Sequence, residues 1–193
     1  MLKFIGHAGF MYSTNNEILL MDPWMSKNGA FDSSWYQFPS NHSLGDEIRQ
    51  EIDSTLKEVY IYISHEHKDH FDVDYLKTLN LSKINFITPK FRRDHVASVL
   101  DKLNPKSVTT PIDSEVLKIG EMEIRLFLDD QEIVRDSAIG LIDFENDFTF
   151  LNLNDCKVYD RVDELKSIFK KFDVFTCPVS YTHLRAHETV ANL

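Results

Sequence analysis

The stretch EVYIYISHEHKDHF, Glu58–Phe71, joins two different signals. Its first half, Glu58–Ser64, is dense in β-branched and aromatic residues without polar alternation, the mark of a strand buried on both faces. Its second half places His65, His67, Asp69 and His70 within six positions. Imidazole and carboxylate together form a ligand set for zinc and for iron or manganese. On a turn leaving a strand, side chains two apart can converge on one point. His65 and His67 are therefore expected to grip one ion, with Asp69 and His70 facing a second. The carboxyl end of a sheet strand is also where α/β architectures build their sites. A polar surface turn that happens to hold three histidines is the competing reading.

Outward from this stretch, Leu2–Ile5, Phe10–Thr14 and Glu17–Met21 read as strands, the last two joined through Asn15-Asn16, which tolerate positive φ. Residues 25–43 show no period and are expected to form a long loop plugged by Phe31, Trp35, Tyr36 and Phe38. After the histidines, Asp72 is placed to cap a helix over Val73–Leu79. Ile84–Thr88 reads as a strand, and Lys90–Leu103 as a helix, because Val96, Val99, Leu100 and Leu103 share a face. Two hairpins follow, Val116–Ile119 with Glu121–Leu128 around Gly120, and Ala138–Phe144 with Phe148–Leu153. A helix capped by Asp160 and running to Phe172, with Val162, Leu165, Ile168 and Phe169 inward, precedes a strand at Asp173–Cys177. Hairpins mixed with strand–helix–strand units imply mixed sheets covered by helices, an α/β (α+β) class.

The 193 residues are 42% hydrophobic, enough for one domain with a core of its own. No apolar run is long enough to span a membrane, and MLKFIGHAGF lacks the architecture of an export signal. A cytoplasmic location is the expectation. Two cysteines, Cys156 and Cys177, do not make a disulfide framework. The formal net charge of -10, without a basic stripe, argues against nucleic acid and anionic lipid as partners. A small-molecule substrate is expected instead, since a bound cation can still attract an anion.

His65-x-His67-x-Asp69-His70 after an apolar strand resembles the signature of the metallo-β-lactamase superfamily. IGHAGFMYSTNNEILLMDPW resembles that family's opening strands, ending at Asp22, and FTFLNLNDC resembles the strand that delivers a bridging ligand, here Asp155. The resemblance covers roughly residues 1–177. Within the family the likeness runs toward the CMP-N-acetylneuraminate hydroxylase-like and ascorbate-6-phosphate lactonase-like branch. It implies an αββα sandwich with one or two divalent ions, zinc first and iron or manganese as alternatives, held by His65, His67, Asp69, His70 and Asp155. Asp69 and His67 would take part in catalysis, Asp69 by orienting a water or taking its proton. The implied activity is hydrolysis of an ester, lactone or phosphodiester, with a sugar phosphate or nucleotide sugar as the branch suggests. An iron-dependent oxidative enzyme and a non-catalytic module of the same fold are the alternatives.

The chain departs from that pattern twice. No third-motif histidine precedes Asp155; His95 lies on the Lys90–Leu103 segment. Asp129, Asp130 and Asp136 in FLDDQEIVRDSAIG could stand in as oxygen ligands, which would favour iron or manganese, or form a solvated acidic turn. A last histidine beyond Asp155 is also wanted. His183 and His187 are spaced like a helical metal pair. However, VSYTHLRAHET (Val179–Thr189) resembles the translated reading frame of a transposase-type sequencing adapter. The expected organisation is a C-terminally truncated domain over 1–177 and an artefactual tail over 178–193.

His7, in GHAG, and Asp22 are expected to stand behind the ligands rather than to bind an ion. His7 would touch the pocket or serve as a turn residue, and Asp22 would anchor a ligating imidazole or cap a turn. His42 reads as a surface residue and Cys156 as a small buried one. Trp24, Trp35 and Tyr36 could line a substrate pocket or plug the loop.

Overall fold

A computed structural model describes residues 1–131 and 135–177. Among them the chain forms eleven strands and four α-helices. Strands β1 (Leu2–Gly6), β2 (Gly9–Ser13), β3 (Glu17–Met21), β4 (Glu58–Tyr62), β5 (Ile84–Ile87) and β6 (Ser107–Thr109) lie side by side in that order. The first pairings are antiparallel hairpins; from β3 onward neighbours are parallel and joined by helical crossovers. Parallel pairing requires such crossovers, and here they contain α1 (His42–Ser54), α2 (Val73–Leu76) and α3 (His95–Lys102). The second sheet runs β11 (Val174–Thr176), β10 (Phe148–Asn152), β9 (Arg135–Asp143), β8 (Met122–Asp130) and β7 (Val116–Ile119), with α4 (Val162–Ile168) before the last strand.

The period-2 geometry of each strand sorts its side chains into layers. In β3 and β4, Ile18, Leu20, Val59 and Ile61 face the helices, meeting Ile48, Ile52, Leu76 and Leu100. The alternate residues Leu19, Met21 and Tyr62 face the second sheet and meet Ile124, Leu126, Ile139 and Phe150. On the far face of the second sheet, Phe127, Ala138 and Leu151 pack against Leu165 and Phe169. Helices, sheet, sheet and helix thus form the expected αββα sandwich.

Several local expectations are corrected. The loop over 25–43 is irregular up to Asn41, and α1, not anticipated, occupies His42–Ser54. Phe31, Trp35, Tyr36 and Phe38 do not plug a core: they stand exposed, Phe38 completely, whereas Trp24 is buried. Instead, the loop is held by Asp72, whose Oδ2 accepts from the backbone of Met25 (2.9 Å) and Ser26 (2.7 Å) while its Oδ1 caps α2 at Tyr75. α2 is shorter than expected, ending at Leu76. The helix expected from Lys90 begins at His95, because Asp130 captures the Arg92 N–H at 3.0 Å and holds the preceding residues in turns. Asp160 does not cap α4; it lies within a 3-10 turn, Tyr159–Arg161, and the helix ends at Ile168. The 178–193 segment, with His183 and His187, lies outside the described residues.

Candidate metal centre

The centre forms where strand ends from both sheets meet. β4 runs out through Ile63 and Ser64 into His65 and His67, β3 into Asp22, and β10 into Asn154 and Asp155. The β1–β2 turn presents His7, and the start of β9 presents Asp136 and Ser137. His7, Asp22 and Asn154 all adopt left-handed backbone, with φ of 51°, 42° and 49°. Such conformations are costly outside glycine and gather where a site over-determines the chain.

Among the described residues two groups of potential ligands result, each with one ligating atom per residue within 4.8 Å of the others: His65, His67 and Asp155, and His7, Asp69 and His70. Asp155 stands between them, its Oδ2 3.7 Å from His70 Nε2. His65 Nε2 and His67 Nδ1 face each other at 2.8 Å. His70 is fully buried, yet its Nε2 has no hydrogen-bond partner; the same holds for Asp69 Oδ1. A buried polar atom without a partner costs about 1–3 kcal/mol, so these atoms fit a divalent cation, which would satisfy both.

The far side of each buried imidazole is held. His70 Nδ1 lies 2.8 Å from Asp22 Oδ2, and Asp22 Oδ1 accepts the Ser64 N–H at 2.7 Å. Ser64 Oγ lies 2.9 Å from His65 Nδ1, and Asp136 Oδ1 lies 3.2 Å from that same nitrogen. A carboxylate on the opposite ring nitrogen fixes tautomer and orientation and raises ligand basicity. Burial would push His70 down, but the Asp22 hydrogen bond and the surrounding carboxylates outweigh it and raise His70 to about 9. His65 goes the other way, to about 2, driven by burial and the neighbouring imidazoles. Burial, then Asp155, raises Asp136 to about 6.

Of the three acidic candidates, the structure brings only Asp136 to the centre. Asp129 is engaged by Gln131 Nε2 at 2.9 Å, and Asp130 holds Arg92. Asp136 Oδ1 lies 3.2 Å from the back of His65 but, buried, makes no hydrogen bond there. His95 is exposed at the start of α3. His42 is partly buried, with Nδ1 3.1 Å from Met25 O. Cys156 is buried with Sγ 3.4 Å from Phe127 O, and burial lifts its thiol to about 12, so it is a small core residue.

Sequence reasoning missed the buried polar lattice behind the centre. Ser137 Oγ donates to Ser64 O at 2.8 Å and meets Tyr62 Oη at 2.6 Å. Asn154 Nδ2 donates to Ser137 O at 3.0 Å, and Asn152 Nδ2 reaches Asn154 Oδ1 at 2.6 Å and Ala8 O at 3.1 Å. One signal was available: two asparagines beside Asp155, in LNLND, are polar residues at the end of an apolar strand. Around the rim, Trp24 meets the His7 ring edge-on at 5.3 Å, Phe31 lies 6.1 Å from the His67 ring, and Arg135 reaches Glu66 at 2.6 Å.

Comparison with known proteins agrees with the fold. The structure resembles CmlA, a diiron beta-hydroxylase from Streptomyces venezuelae, with a TM-score of 0.65 at 18% identity over 90% of this chain and 33% of that one. It also resembles a provisionally described metal-dependent hydrolase from Veillonella parvula, with a TM-score of 0.62 at 13% identity over 88% of this chain and 68% of that one. A family model described as a beta-lactamase superfamily domain matches residues 1–193. The chain belongs to this family, of the metallo-beta-lactamase fold. Two Mycobacterium tuberculosis proteins, provisionally named Rieske 2Fe-2S iron-sulfur proteins, are 31% identical over 177 residues, 88% of this chain and 32% of theirs. The chain therefore spans about a third of the length of these curated relatives. No helix among the described residues is long and apolar enough to cross a membrane.

Proposed function

We propose that this chain carries a two-ion centre held by His65, His67, Asp69, His70 and Asp155 and acts as a metal-dependent hydrolase on a small ester, lactone or phosphodiester. The observation that supports it best is His70 Nε2, wholly buried, unpartnered and within reach of both Asp69 and Asp155. Divalent ions at such a set supply Lewis acidity and a water acidic enough to yield hydroxide near pH 7. The residues do the rest. Asp22 holds His70 from behind, and Ser64 does the same for His65. Burial alone would raise the Asp69 carboxyl, but the His7 hydrogen bond and nearby imidazoles keep it low. Asp69 is therefore ionised at neutral pH, able to orient a water or accept its proton. Asp155 is about half exposed, so the approach to the cluster is open from its side.

Changing His67 to Ala should remove about half of the bound metal and reduce hydrolysis of a panel of nitrophenyl esters and bis-phosphodiesters by 100-fold or more, the order expected when activation of the nucleophile is lost. Full metal occupancy with unchanged hydrolysis would end the assignment.

A second reading is favoured by the curated relatives' name. A Rieske centre takes two cysteines and two histidines, whereas Cys156 here is buried away from the histidines and Cys177 is exposed. In that reading residues 1–177 hold a non-haem iron centre, and a 2Fe-2S group outside them supplies electrons. Two imidazoles with one carboxylate, as in His65, His67 and Asp155, suit iron(II) oxidation chemistry as well as zinc. Elemental analysis separates the readings: iron in the purified protein, with dioxygen uptake when a reduced 2Fe-2S protein is added, supports the second; zinc with hydrolysis supports the first.

A further inference from the structure

We propose that His7 is the third protein ligand of the ion held by Asp69 and His70, an inference that rests on the two-ion reading above. Among the described residues, His70 and Asp69 otherwise give the second half-site one imidazole and one carboxylate. The structure delivers another imidazole from the opposite end of the chain. His7 Nε2 lies 3.0 Å from Asp69 Oδ2, and one atom each of His7, Asp69 and His70 falls within a 4.8 Å group. Two atoms of that group, Asp69 Oδ1 and His70 Nε2, are buried and without partners in residues only 4% and 0% exposed. An ion pair between His7 and Asp69 alone leaves both of those atoms unsatisfied; an ion among the three satisfies them together.

The His7 ring is also held in place, as a ligand must be. It meets Trp24 and His70 edge-on, at 5.3 Å and 5.2 Å between ring centres. Its backbone sits in the left-handed region, φ 51°, directly after Gly6 at φ 121°. The next carbonyl, Ala8 O, accepts from Asn152 at 3.1 Å, which ties the β1–β2 turn to the strand end that carries Asp155. With His7 included, the half-sites match: His65, His67 and Asp155 on one side, His7, His70 and Asp69 on the other. Each has two imidazoles and a carboxylate, with Asp155 also 3.7 Å from His70.

The test is calorimetric titration of the metal-stripped 193-residue chain with zinc or cobalt(II), beside its His7→Ala and His7→Gln variants, with elemental analysis of each loaded protein. The wild type should take two ions. Both variants should keep one at unchanged affinity and bind the other at least about tenfold more weakly, the order of loss that even outer ligand partners produce. Two ions at wild-type affinity in His7→Ala would overturn this inference alone and leave His7 as a partner of Asp69. Loss of both ions from both variants would also count against it, because the proposal confines His7 to one half-site. No ion in the wild type would remove the two-ion reading and this inference with it.

Discussion

His70 brings a buried imidazole, a buried carboxylate behind it and an unpartnered nitrogen in front of it into one place. Asp22 is what makes that arrangement hold. An Asp22→Ala change should weaken binding of the ion shared with Asp69 by about 10–100-fold, measured by chelator competition, while Asp22→Asn, which keeps an acceptor, should lose less. Equal metal affinity in Asp22→Ala and the wild type would show that the contact is only structural. Protonation gives a second handle. Ligation needs a neutral imidazole, and without metal His70 stays protonated up to about pH 9 whereas His65, lowered to about 2, is already neutral. At pH 7 binding to the His70 half-site should therefore release a proton and weaken as pH falls. His65, already neutral, should contribute no proton when it binds. Calorimetry in buffers of different ionisation enthalpy measures the release, and a His70 step that frees no proton would contradict it. At this scale the histidine cluster and Asp155 were legible because their spacing and flanking strands are local. The placement of His7 was not: it depends on a turn meeting residues more than sixty positions later. Nor was the choice of Asp136 over Asp129 and Asp130, which follows from what the neighbouring side chains already occupy.

Ser137 and Asn154 belong to the scale of elements, because they join the ends of β4, β9 and β10 beneath the centre. Ser137→Ala leaves Ser64 O without its donor and Tyr62 Oη with one partner fewer. A loss of about 1–3 kcal/mol is expected for such a buried group, a fall in Tm of roughly 2–4 °C per kcal/mol for a chain of this size. An unchanged melting temperature would show the lattice to be dispensable. Gly140 in β9 lies directly beneath Phe169, and an added Cβ would collide with that ring and press on Phe127. Gly140→Ala should therefore cost about 1–3 kcal/mol through overpacking, and Phe169→Leu in the same chain should relieve part of it. The strands were readable because runs such as Glu58–Tyr62 and Phe148–Asn152 carry their own period and composition. α1 was not, since it buries only Gly45, Ile48 and Ile52 and has no side-chain cap. The start of α3 was misread because its apolar face continues the pattern while a tertiary bond from Asp130 decides the boundary.

For the whole molecule, the sandwich explains why the centre lies where it does. Both sheets must end at the same rim for His65, Asp155 and Asp69 to meet, and a cation there would clamp the sheets together. Removal of metal by a chelator should therefore lower the Tm of the whole domain, and restoring metal at 100 times its Kd should return about 2.7 kcal/mol per site. Melting that ignores chelation would mean that no ion links the sheets. The most direct measurement is anomalous diffraction from crystals grown with zinc or iron(II), collected above and below the absorption edge. The account predicts two peaks, one within about 2.0–2.2 Å of ligand atoms of His65, His67 and Asp155 and one equally close to Asp69 and His70. An empty rim, or a single peak away from His70, would contradict it.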